Sequence, residues 1–84
     1  MNVILILESG NFVLFLYKEL KKNGITTQVV PIPCKIAHGG CGYCLKFDIS
    51  NLDTIKKIAS SQQIVIKEMY KEINLFSKKK FEKL

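Results

Sequence analysis

The chain contains no arginine and no tryptophan, and only one histidine, two prolines and three cysteines among its 84 residues. Without arginine, the planar guanidinium fork that reads phosphates and guanine edges is missing, so specific nucleic-acid recognition is not expected. The net charge of +6 rests on lysine alone, and Lys71, Lys78, Lys79, Lys80 and Lys83 fall in the last fourteen residues. Such a basic tail reads first as a solvated, solubilising end. One histidine and seven acidic residues offer no paired carboxylates and no Ser/His/Asp set, which argues for a carrier or binding module rather than a catalyst. An odd number of cysteines leaves one unpaired and argues against a disulfide framework. The apolar runs 3–7 and 12–17 are split by Glu8-Ser9-Gly10-Asn11, too short to span a bilayer, and no basic segment or cleavage site opens the chain. The expectation is a cytoplasmic protein without membrane insertion.

What is present suffices for one small α+β domain. Val3-Ile4-Leu5-Ile6-Leu7 is a continuous β-rich run, the pattern of a strand covered on both faces. Ser9 is placed to cap a helix that Asn23-Gly24 would end, with Phe12, Val13, Leu16, Tyr17 and Leu20 on its inner face. Leu14 and Phe15 do not fit that face and mark space at the sheet end or a partner contact. Residues 25–32 read as a second strand stopped by Pro31 and Pro33, and residues 45–49 alternate as a third. Ser50-Asn51-Leu52-Asp53 resembles a capping box before a helix burying Leu52, Ile55, Ile58 and Ala59. Residues 64–70 read as the last strand, and 72–84 as a lysine-rich extension, helical if ordered.

The order β-α-β-β-α-β is the ferredoxin-like pattern: two helices on one face of a four-stranded antiparallel sheet, here over residues 1–71 with a basic tail at 72–84. In that topology the turn between the second and third strands lies at the sheet end where the first helix begins. The other sheet face needs cover, from the tail (Ile73, Leu75 and Phe76) or from a second subunit as a homodimer.

The turn in question, from Cys34 to Cys44, carries the chemistry. Cys41-Gly42-Tyr43-Cys44 is a C-x-x-C motif, with Cys34, Lys35 and His38 upstream as accessory residues. Thiolates carry sulfur chemistry, and a helix N-terminus or a lysine such as Lys35 or Lys46 lowers a thiol pKa. Gly40 and Gly42, beside Gly39, let the backbone approach a ligand. With Ser9, Gly10 and Asn11 at the helix start they form a candidate anion-binding loop for a cysteine loaded with sulfur or selenium, and Cys44 is placed to release that cargo by forming a disulfide. Other readings stand beside this one. A dithiol oxidoreductase would carry its motif at a helix start, not ahead of a strand. No cofactor is required, although Cys34, His38, Cys41 and Cys44 are the right ligand types for zinc. The loop would then be a metal-binding or structural interaction module. Cys34 and His38 also read as ordinary loop residues.

The strand 3–7 running into Glu8-Ser9, the helix end Lys22-Asn23-Gly24-Ile25, Val30-Pro31-Ile32-Pro33 and Gly40-Cys41-Gly42 before Leu45-Lys46-Phe47 resemble the selenium/sulfur carrier protein-like family. The resemblance spans residues 2–70. It implies trafficking of reduced sulfur or selenium between donor and acceptor proteins, with Cys41 at the family's Cys-Gly position, and with Cys34 and Cys44 as additions to a usual single cysteine.

Overall fold

The computed structural model describes residues 1–37 and 42–84. In chain order the elements are β1 (Asn2–Leu7), α1 (Gly10–Lys22), β2 (Gln28–Pro31), β3 (Tyr43–Asp48), a 3₁₀ turn (Ile49–Asn51), α2 (Leu52–Ser61), β4 (Ile66–Leu75) and β5 (Lys78–Lys83). The strands form one sheet in the order β2-β3-β1-β4-β5, every neighbouring pair antiparallel. The first four strands thus follow the crossover order of the β-α-β-β-α-β pattern, but the sheet has five strands rather than four. The lysine-rich segment is not a helix: after Leu75 the chain turns through Phe76-Ser77 and runs back along β4 as β5.

β1 lies in the middle, and its five residues Val3 to Leu7 are all buried. Val3, Leu5 and Leu7 point to the helix layer and pack with Val13, Leu16 and Leu20 of α1, Ile55 and Ala59 of α2, and Leu45 and Phe47 of β3. Ile4 and Ile6 point the other way, into a second cluster with Ile36, Cys44 and Tyr70, flanked by Val30, Ile32 and Phe81. The chain therefore covers its own second face, with the turn after Pro33 and the aromatics of β4 and β5. Ile73, Leu75 and Phe76 are not the cover: Leu75 is half exposed and Phe76 fully exposed. At roughly 1.5–3 kcal/mol per fully buried aliphatic side chain, β1 is the largest apolar contribution of any strand.

Local signals decide the helix ends. Gly24 takes φ +76 and donates to the Lys21 carbonyl at 3.1 Å, while Ile25 donates to that of Leu20 at 2.9 Å. Both bonds, with Leu20 and Ile25 in the core, make a Schellman stop. α2 ends the same way, with Ile64 donating to Ala59 at 2.9 Å, but the left-handed position is held by Gln63 at φ 58. Ser9 occupies the N-cap position of α1 without a side-chain capping bond. The expected capping box is displaced: Asp48 accepts from the Ser50 amide at 2.9 Å, one turn before α2, and Asn51 makes no side-chain cap. That bond to Ser50 also holds the Asp48 carboxyl below its usual range. On α1, Phe12 is exposed with Leu14 and Phe15 rather than inside. β2 starts at Gln28 rather than at Ile25, whose amide is spent on the Leu20 carbonyl in the Schellman stop.

The two Schellman positions predict substitutions of opposite sign. An added methyl at Gly24 meets no atom within 4 Å, so Gly24→Ala reports backbone strain alone and lowers stability by about 1 kcal/mol. Gln63→Gly relieves the same strain and raises stability by a few tenths to about 1 kcal/mol, both read from urea unfolding midpoints.

Candidate functional site

Pairing of Val30 with Cys44 and Pro31 with Tyr43, followed by the Ile32 amide donating to the Gly42 carbonyl at 2.9 Å, closes the cysteine loop at its base. From Pro33 the chain turns back over the sheet, with the Ile36 amide on the Pro33 carbonyl at 3.0 Å. This puts the Ile36 side chain into the second core cluster. The loop is therefore pinned by an apolar anchor that sequence reasoning did not single out. Its only signal was an isoleucine inside an otherwise polar, glycine-rich stretch.

The described ends of the loop lie where the topology requires. Ala37 and Gly42 border a cavity of about 220 Å³, together with Ser9 and Gly10 at the start of α1. His38, Gly39, Gly40 and Cys41 lie outside the described residues. Of the expected helix-start residues, Asn11 does not border this cavity and sits in an apolar cleft with Phe12 and Phe15. Among the described glycines only Gly24 has positive φ, so Gly42 supplies no left-handed turn; a Cβ there would touch Ile32 at an ordinary 3.5 Å.

The charge around the cavity differs from expectation. Lys35 and Lys46 do not border it. The Lys35 Nζ donates to the Lys79 carbonyl at 2.7 Å, and the Lys46 Nζ lies 3.5 Å from the Glu72 carboxylate. Among the described residues the cation that does border the cavity is Lys67, placed there because the β1–β4 register shifts between Ile6 and Leu7 and leaves Lys67 as the extra residue. Glu8 and Glu68 share the rim, so the positive end of α1 is met by two carboxylates as well. Glu68 accepts from the Tyr70 hydroxyl and has Lys83 Nζ at 3.7 Å; accepting that proton is the main reason the Tyr70 phenol is pushed above its ordinary pKa. Sequence reasoning missed Lys67 and Glu68, because their positions follow from the bulge and the β1–β4 register.

Cys44 does not have the surroundings of a releasing nucleophile. It is fully buried in the second core cluster, its Sγ directed at the Val30 carbonyl at 3.6 Å. Burial pushes the thiol up to about 11, with Lys46 opposing weakly, so it is protonated at neutral pH. β3 turns this residue onto the face opposite the helices, a face that the chain itself covers. The same placement bears on the zinc set: Cys44 would have to leave the core to join a metal, and the described residues hold no group of three ligand side chains. Cys34 is exposed and borders a separate groove of about 440 Å³ on the outer face, with Lys35, Lys46 and Lys79.

A family model described as Putative Se/S carrier protein-like matches residues 2–71. The match ends within β4, so β5 lies beyond it. No curated protein and no solved structure matches the chain.

Thiol labelling checks the contrast between the cysteines. In native protein at pH 8, iodoacetamide modifies Cys34 readily and Cys44 only after unfolding, as read by peptide mass spectrometry. The raised Cys44 thiol also sets a pH dependence. Its stabilising contribution is complete below the unfolded value near 9 and is lost as pH rises to about 11. The difference in stability between the native sequence and Cys44→Ala therefore shrinks across that window.

Proposed function

Since the chain belongs to the Putative Se/S carrier protein-like family, we propose that it carries reduced sulfur or selenium as a persulfide or its selenium counterpart on Cys41, between a donor and an acceptor protein. The single observation that supports this reading is the joining of the cysteine loop's described ends to the start of α1 around one cavity. A helix N-terminus favours a neighbouring anion, and a persulfide is more acidic than the parent thiol. Lys67 adds a positive charge on the same rim.

The chemistry is thiol exchange without net oxidation. The Cys41 thiolate attacks the outer sulfur of a donor persulfide. A new sulfur–sulfur bond forms as the donor's breaks, and the donor leaves as a thiolate. An acceptor thiolate then removes the outer sulfur in the same way and regenerates the Cys41 thiolate. An external acceptor replaces Cys44 in the release step, because the Cys44 thiol is buried and protonated. Nothing in this cycle requires a metal.

Incubation with a cysteine desulfurase and cysteine, followed by intact-mass and peptide analysis under non-reducing conditions, tests the assignment. The expected result is a 1:1 sulfur adduct on Cys41 that is absent in Cys41→Ser and retained in Cys34→Ser. An adduct on Cys34 instead, or none on any cysteine, would contradict it. Stoichiometric zinc in protein purified without chelator would favour the metal-binding reading in its place.

A further inference from the structure

β5 is an outermost strand, and only one of its edges is bonded to β4. The Leu84 amide donates to the Met69 carbonyl at 3.0 Å. By the alternation of an antiparallel ladder, Lys78, Lys80 and Glu82 then turn their backbone groups inward and Lys79, Phe81 and Lys83 turn theirs outward. The outward carbonyl of Lys79 already accepts from the Lys35 Nζ at 2.7 Å, a side-chain contact that the amide of an incoming strand would replace. Beside the strand runs a groove of about 570 Å³ with Ile36, Leu75 and Phe81 among its apolar lining and Lys78, Lys79 and Lys80 around it. Those three lysines are exposed, and none takes part in an ion pair among the described residues. At the tip, Phe76 is fully exposed and holds φ 56, a conformation unfavourable for a bulky residue.

We propose that the β5 edge and this groove dock an acidic, partly apolar extended segment of a partner protein, which adds to the sheet as a sixth strand. Open backbone groups provide the affinity of strand addition, and side chains on either face provide the selection. The charges choose among occupants. Two copies of this lysine-rich edge repel one another, whereas alternating carboxylates on an incoming strand meet Lys78 and Lys80 on one sheet face and leave the residues between them to the face of Phe81. A nucleic-acid backbone would leave the apolar lining unfilled, and a lipid surface cannot satisfy the outward amides. The surface goes beyond the thiol reading and deepens it by giving the donor or acceptor a place to bind. Docking itself does not need Cys41.

The test uses the full chain and a fluorescent peptide of four Glu-Val repeats, with anisotropy for affinity and amide NMR for location. The peptide is expected to bind at low salt, to shift the amides of Lys79, Phe81 and Lys83 and to slow their exchange. Lys78→Glu/Lys80→Glu should weaken it at least tenfold, and the milder Lys78→Gln/Lys80→Gln pair severalfold, so the result survives if the first variant fails to fold. Cys41→Ser should bind as the native chain does, which separates failure here from failure of sulfur loading. Equal binding of a Lys-Val peptide, tighter binding of oligouridylate or of phosphatidylglycerol vesicles, or insensitivity to the lysine substitutions would overturn the proposal.

Discussion

The structure depends on the burial of β1 from both sides. A strand of five apolar residues in mid-sheet exposes Ile4 and Ile6 on the face that the helices leave open, and that face must be covered. The chain does this locally: the turn after Pro33 lays Ile36 over them, Tyr70 and Phe81 close in from β4 and β5, and Cys44 fills the gap beside Val30. A loop that would otherwise hang from the sheet end is thereby tied to the core a few residues before Cys41. The position of the candidate site is a by-product of this packing.

The same cover decides the polar pattern of the outer face. Glu72 is buried beside Tyr70, which is tolerated because Lys46 lies 3.5 Å away on β3. Glu68, four residues before Glu72 on the same side, is held by Tyr70 and Lys83. These carboxylates take up lysines that would otherwise make the face uniformly positive. The excess remains on β5, at Lys78, Lys79 and Lys80, where no acid pairs with it among the described residues. Positive charge is thus concentrated at an edge strand, away from the start of α1. The argument for a second subunit also weakens, because the face that seemed to need one is already closed. The large apolar side chains still exposed on α1 are Phe12, Leu14 and Phe15.

Strong local signals were readable from the sequence. The run Val3 to Leu7, the Asn23-Gly24 stop and the order of the first six elements all reappear, because each is decided by chemistry within a few residues. β5 was not readable. Lys78-Lys79-Lys80-Phe81-Glu82-Lys83 has almost no apolar alternation, and its strand state comes from pairing with β4, a tertiary effect. The displaced α2 cap reflects a choice between two nearby side chains, Asp48 and Ser50, that propensity cannot settle. At the site, the nearness of the loop ends to Ser9 and Gly10 followed from topology, and the protonated state of Cys44 did not. It required knowing that the outer face is covered, and by what. Lys67 and Glu68 were hidden for a different reason, since a one-residue bulge decides where they point.

Functionally, one thiol is kept out of reach, one is exposed among lysines, and the third belongs to a loop whose two ends meet the positive end of α1. If Ile36 is the tie between core and loop, loosening it must unsettle both. The most direct measurement is the iodoacetamide reactivity of Cys44 in native Ile36→Ala, alongside its stability to urea. Deleting this buried side chain should remove about 2–3 kcal/mol and raise the Cys44 labelling rate at least tenfold over the native sequence. Unchanged stability with Cys44 still protected would contradict the claim that the turn after Pro33 closes the second face.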